Sequence, residues 1–246
     1  MTRELMIDDP RPPCTECNLY KVSPSVNLRS VMPRVNFSEI AVITDYPRTE
    51  DFSMKTPLMG INGSNFNDVI EAAAIDRNTL YLGNTVRCAH PTRKPNKKEI
   101  ETCFKKTREE IANAKPKVIV CLGLNAAKAV IGRSDITMKR DHGKFYSGKR
   151  IFGYDCSITF TWHPSEKVLA EFPERKAEMI KDFLKAKVRV TQGSSYKVPK
   201  QWADICITDK QLWKNHVYPL MKEDNILVLD LETTGLDEKA DDAAFT

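Results

Sequence analysis

Four cysteines of this chain stand where they could share one metal centre. Cys14 and Cys17 form its only C-x-x-C pair, and Cys88 and Cys103 follow with 14 residues between them. Two thiols can grip a metal, but a four-ligand site needs two more. Zinc ribbons usually pair two short knuckles. One knuckle plus two separated thiols suits an iron–sulfur cubane better, because a wide cluster accepts thiolates from several directions. Spacing alone leaves zinc, and thiols with no shared role, open beside it. Cys121, Cys156 and Cys206 have no partner spacing and read as buried thiols. Seven cysteines, an odd number, argue against a disulfide framework and for a reducing compartment.

A second group of reactive side chains stands at the ends of apolar runs. "EIAVITD" (39–45), "TLYLGNTV" (79–86), "KVIVCLG" (117–123) and "SITFTW" (157–162) read as buried strands. They alternate with helical spacing in 65–75, 96–114, 125–132 and 165–187, the last with a break at Pro173. Alternation of this kind predicts an α/β three-layer sandwich around a mostly parallel four-stranded sheet. Ligands of such sheets bind outside the carboxyl ends of the strands. There the sequence places Asp45, Asn84, Gly123 and His163: a carboxylate, an amide, a glycine and an imidazole on one edge.

The totals bound the partners. The net charge of the 246 residues is +5, but residues 1–187 hold 31 Lys and Arg against 23 Asp and Glu, while 188–246 hold 7 against 10. The basic part therefore carries +8 and the remainder −3, which points the first part to a polyanion, nucleic acid first. Lys94, Lys97, Lys98, Lys105 and Lys106 are the candidate phosphate contacts. No apolar run approaches the roughly 20 residues that cross a bilayer. The opening "MTRELMIDDPRPP" has acids and prolines where a signal peptide has an apolar core, so no membrane partner and a cytoplasmic location are expected. "VTQGSSYKVPK" (190–200) reads as a linker, which divides the chain into a domain at 1–187, a linker at 188–203 and a second unit at 204–246.

The C-x2-C at 14–17, "LGNTVRCAHPTRKPNKKEIETC" (82–103), "PKVIVCLGLNAAKAVIG" (116–132) and "TWHPS" (161–165) together resemble the family 4, iron–sulfur uracil-DNA glycosylases, over about residues 10–187. The resemblance implies the uracil-DNA glycosylase fold and a 4Fe-4S cluster held by Cys14, Cys17, Cys88 and Cys103, which would staple the N-terminal arm to the sheet. It implies that Asn84 reads uracil, that His163 meets the O2 of the leaving base and that Asp45 serves the cationic sugar and the attacking water. "TDYPRTED" (44–51) departs from the family's first motif. Asp45 replaces a Glu, and Tyr46 and Arg48 replace small residues. In "PLMG" (57–60) Leu58 replaces a Phe that stacks on uracil, a contact worth about 1–3 kcal/mol. Tyr46 and Leu58 are still expected at the uracil pocket. The expected function is a DNA-repair hydrolase or a non-catalytic reader of uracil and DNA.

"LVLDLETTGLD" (227–237) resembles the first motif of DEDD 3′–5′ exonucleases, as in family A DNA polymerases. Asp230 and Glu232, two apart on one strand, share a face and could hold Mg²⁺ together. The resemblance implies a truncated RNase H-like exonuclease start, inactive without later carboxylates, and a place at the front of a phage-type DNA polymerase.

Overall fold

A computed structural model of the protein describes residues 14–23, 28–33 and 38–192. The chain divides into two units, Met1–Ala203 and Asp204–Thr246, and every described residue belongs to the first. The expected exonuclease start with Asp230 and Glu232, together with Cys206, lies outside the described residues.

Five strands form one sheet in the order β2-β1-β3-β5-β4. β1 (Ile40–Thr44), β2 (Tyr81–Asn84), β3 (Val118–Leu122) and β5 (Ser157–Thr161) are parallel, and β4 (Tyr146–Ser147) pairs antiparallel with β5. The four-stranded expectation is thus corrected by one edge strand. Two residues are too short to show a period-2 pattern, so β4 left no signal between its flanking glycines. The helices are α1 (Thr49–Ser53), α2 (Gly60–Ala72), α3 (Lys97–Ala114), α4 (Leu124–Ile131), α5 (Met138–Asp141), α6 (Lys149–Phe152), α7 (Glu166–Glu171) and α8 (Glu174–Gln192).

Every residue of the four parallel strands is buried, as helices on both faces require. Alternation along each strand sorts the side chains. Ile40, Val42, Val118, Val120 and Leu122 face α2 and α8, where they meet Phe66, Val69, Met179 and Phe183. Ala41, Ile43, Ile119, Cys121, Ile158 and Phe160 face α3, α4 and α6, where they meet Phe104, Ile111, Ala127 and Phe152. Cys121 and Cys156 are buried thiols, as expected. Among the described residues, the outer edge of β2 is covered by one antiparallel bridge, Val31 to Leu82.

Helix ends follow local chemistry. Asn96 Oδ1 accepts from Glu99 N at 3.0 Å while Glu99 Oε2 accepts from Asn96 N at 2.7 Å, a reciprocal cap that sets the start of α3. The break at Pro173 falls between α7 and α8, because proline has no N–H to donate and restricts the residue before it. α8 then runs through Gln192, past the expected boundary at 187/188. Phe183, Ala186 and Val190 continue its apolar stripe into the core, and that burial outweighs the linker-like composition beyond.

Phe66 is fully buried and meets Phe183 edge to face at 5.9 Å between ring centroids. Phe66→Ala is expected to destabilise the domain by about 3–5 kcal/mol in chemical denaturation; a loss under about 1 kcal/mol would show that α2 does not depend on this contact.

Candidate functional site

The carboxyl ends of the parallel strands form one polar edge. Thr44 of β1 and Asn84 of β2 are register partners. Asn84 is 1 % exposed, and neither its Oδ1 nor its Nδ2 has a hydrogen-bond partner among the described residues. Its backbone carbonyl accepts from Thr107 Oγ1 at 2.8 Å, which fixes the main chain beneath the amide. Burying an amide without partners costs about 1–3 kcal/mol, which makes this one a candidate ligand contact.

His163 lies just past β5, yet its ring reaches β1 on the far side of β3. Gly123, the residue after β3, permits the crossing. Its φ is +86°, and a Cβ there would stand 3.2 Å from the Cβ of His163. His163 Nε2 comes within 3.3 Å of Thr44 Oγ1 and 3.7 Å of Asp45 Oδ1. Burial pushes the imidazole below its ordinary value; the Asp45 carboxylate opposes that shift and the Arg48 guanidinium adds to it. His163 is therefore neutral at pH 7. Asp45 is held from both sides: Oδ1 accepts from Tyr46 N at 2.9 Å, and its carbonyl accepts from Thr85 Oγ1 at 2.6 Å and Val86 N at 2.9 Å.

The loop after Asp45 is organised by a buried carboxylate. Asp51 accepts from Arg48 N at 2.8 Å through Oδ2 and from Met59 N at 2.7 Å through Oδ1. Arg77 Nη2 donates to the carbonyls of Pro57 and Leu58, both at 2.9 Å. Leu58 has φ +60°, in the left-handed region that favours glycine, and is 4 % exposed within the core cluster that includes Phe66 and Val69. Its carbonyl lies so near α2 that a Cβ on Gly63 would be 2.0 Å away. Tyr46 carries the Arg48 guanidinium over its ring at 4.6 Å and packs toward Leu19, Val86 and Cys88.

The four thiols do come together. Cys14, Cys17, Cys88 and Cys103 line one small pocket with Leu19 and Val86. Arg87 N donates to Cys103 Sγ at 3.3 Å, and Lys106 Nζ donates to Cys14 Sγ at 3.1 Å while pairing with Glu16 at 2.9 Å. Donors aimed at sulfur favour the thiolate that a metal needs. Burial pushes the Cys103 thiol up to about 11, against the pull of Arg87 and with Cys88 and Cys17 as like neighbours. Among the described residues no three His, Cys, Asp or Glu side chains meet closely enough for one metal ion. Four sulfurs around a shared pocket are a donor set that an iron–sulfur cluster takes.

The two sites share a buried connection. Arg87 Nη2 pairs with Glu110 at 2.8 Å and donates to Thr107 Oγ1 at 3.2 Å, and Thr107 in turn holds the Asn84 carbonyl.

Of the residues singled out in the sequence, Asp45, Asn84 and His163 share the edge, and the four cysteines share the pocket. Leu58 is committed to the core and Tyr46 to Arg48 and the thiol shell. Lys106 serves Cys14 and Glu16, while Lys94, Lys97, Lys98 and Lys105 are exposed. Thr44, Thr107, Arg87 and Glu110 were missed. Thr44 stands beside Asp45 and could have been found from that; a threonine and a glutamate within α3 give no such signal.

A family model described as the uracil DNA glycosylase superfamily matches residues 35–185. The chain is similar to a type-4 uracil-DNA glycosylase of Pyrobaculum aerophilum, 27% identical over 175 residues that cover 69% of this chain and 85% of the relative. Relatives bearing the same name are 26% identical in Archaeoglobus fulgidus, over 70% of this chain and 85% of the relative, and 25% identical in Thermotoga maritima, over 71% and 88%.

In an NMR titration the His163 ring is expected to titrate below its ordinary value of 6.5. Asp45→Asn should lower it further, because the carboxylate favours the imidazolium, and Arg48→Met should raise it. An Asp45→Asn variant that titrates higher than wild type would remove the charge contact between the two.

Proposed function

The chain belongs to the uracil-DNA glycosylase superfamily, and from that premise we propose that its first unit binds DNA and hydrolyses the N-glycosidic bond of deoxyuridine. One observation carries this: a buried, unpaired Asn84 amide on an edge shared with a neutral imidazole and a carboxylate. The target base must leave the stack to reach such an edge. Uracil then offers O4 as acceptor and N3–H as donor, and the amide matches both, with Nδ2 donating and Oδ1 accepting. Cytosine offers the opposite pattern and leaves the amide unpaired.

As the bond breaks, positive charge gathers on the sugar and negative charge on the uracil O2. His163, in its Nε2–H tautomer, donates to that oxygen, and its neutrality leaves the proton shared rather than transferred outright. The Asp45 carboxylate faces the cationic sugar and orients the water. Water gives its hydroxyl to C1′, and its proton ends on the departed uracil. Before the base arrives the Nε2–H meets Thr44 Oγ1, a contact that uracil O2 replaces, and Gly123 keeps the path over β3 open.

Similarity to type-4 uracil-DNA glycosylases and the shared thiol pocket support a 4Fe-4S cluster on Cys14, Cys17, Cys88 and Cys103. When bound, it supplies iron–thiolate bonds that tie the N-terminal arm to the end of β2 and to α3. The motif at 227–237 supports a further part of the proposal: the domain is N-terminal to a 3′–5′ exonuclease unit of a phage-type DNA polymerase, in which Asp230 and Glu232 would hold Mg²⁺.

An incision assay on uracil-containing oligonucleotides tests the chemistry. Asn84→Ala should abolish discrimination of uracil from cytosine, and His163→Ala should slow cleavage about 100- to 1000-fold with little loss of binding. Cluster-loaded wild-type protein that never makes an abasic site would sink the enzyme, and a uracil preference lost with Asn84→Ala would then identify a reader module.

Metal analysis tests the cofactor. Protein purified without oxygen should be brown, with about four irons and about four acid-labile sulfides per chain. Cys17→Ser should lower the yield of folded protein, since the cluster's binding energy is part of the folding energy. One zinc per chain without sulfide overturns the cluster.

A further inference from the structure

A long open groove runs between α3, α4 and α6, on the helical layer rather than at the Asn84 edge. Its floor is apolar, with Phe104, Val130 and Ile151, and its walls carry Lys97, Lys105, Arg108, Lys128, Arg133 and Arg150 against the single carboxylate of Glu101. Lys97 pairs with Glu101 at 3.8 Å and Arg133 pairs with Asp135. Lys105, Arg108, Lys128 and Arg150 have no carboxylate partner among the described residues. Lys105 and Arg108 are three residues apart on one helix, close enough to repel. Cations gathered without counter-charges along one channel are stabilised by a polyanion laid into it.

One end of the groove lies at the first turn of α4, which starts directly after Gly123. Asn125 lines it two residues after Gly123, the glycine beneath His163. From Lys97 to Arg108 the wall along α3 extends about 17 Å at ~1.5 Å per residue. That matches the axial length of about five nucleotides at ~3.4 Å each.

We propose that this groove is a second DNA-contact surface, which takes the phosphate backbone of one strand beyond the nucleotide held at the Asn84 edge. The choice of DNA as the polyanion rests on the glycosylase proposal. An acidic peptide would also meet the charge, but the groove's end at the first turn of α4, beside the base-handling edge, decides for the strand that edge holds. Phosphates lie against the cations of the walls. The surface adds affinity without touching the reacting atoms.

The test combines Arg108→Gln, Lys128→Gln and Arg150→Gln in one variant. Binding of a uracil-free single strand, long enough to cover edge and groove, is measured by fluorescence anisotropy against salt. Losing three phosphate contacts should make the slope of log affinity against log salt shallower by about 2. Binding and excision on a short strand that spans only the edge should not change. In the wild-type protein the long strand should also shield Lys105 and Lys128 from acetylation. An unchanged slope, or equal acetylation with and without DNA, overturns the proposal, as does an acidic peptide that binds the groove while DNA leaves it labelled. Anisotropy needs no catalysis, so a wild-type protein that makes no abasic site fails the glycosylase proposal alone.

Discussion

The polar edge depends on one missing side chain. β3 lies between the strand that delivers His163 and the strand that carries Thr44 and Asp45, so a direct contact between them must pass over its end. Gly123 supplies that passage, with a φ of +86° and no Cβ where His163 crosses at 3.2 Å. Every other contact at the edge assumes this one. The hydrogen bond to Thr44, the approach of Asp45 and the low proton affinity of the ring all follow from a buried imidazole lying across the sheet. A parallel sheet makes the arrangement possible because all four strands end on the same side.

Beneath the edge, a polar network joins the thiol pocket to the amide. Arg87 touches Cys103 through its backbone and Glu110 and Thr107 through its guanidinium. Thr107 closes the path at the Asn84 carbonyl. Tyr81 and Ser30 extend it, with the Tyr81 hydroxyl at 2.8 Å from both Ser30 Oγ and Glu110 Oε2. Burial, reinforced by the Glu110 charge, raises the Tyr81 phenol far above its usual range, so it stays a donor at any physiological pH. A buried network of this kind holds the end of β2 in place, and both sites are built on that end.

Much of this was legible in the sequence. Apolar runs of four to five residues, each ending in a polar side chain, were enough to find the parallel strands and to align Asp45, Asn84 and His163. The cysteine spacing grouped the four thiols. What could not be read has physical causes. β4 is too short for periodicity, and the end of α8 obeys packing by Val190 rather than composition. Leu58 adopts a left-handed backbone that side-chain spacing does not betray, so its burial in the core was not visible. Thr107 and Glu110 act through partners far away in the chain, and nothing local distinguishes them from other polar residues of a solvated helix.

The bridge between Val31 and Leu82 has a consequence for how the protein survives. β2 is an edge strand, and an edge strand with free N–H and C=O groups is a template for pairing with another chain. Two backbone hydrogen bonds from Val31, at 2.8 and 2.9 Å, occupy the outer side of Leu82, and Leu28 N occupies the Arg87 carbonyl at 2.7 Å. This cover belongs to the same arm that brings Cys14 and Cys17 to the pocket. The arm that supplies two of the four thiols thereby also shields the sheet against self-association: an arm lifted from β2 would uncover the outer side of Leu82 to a second chain.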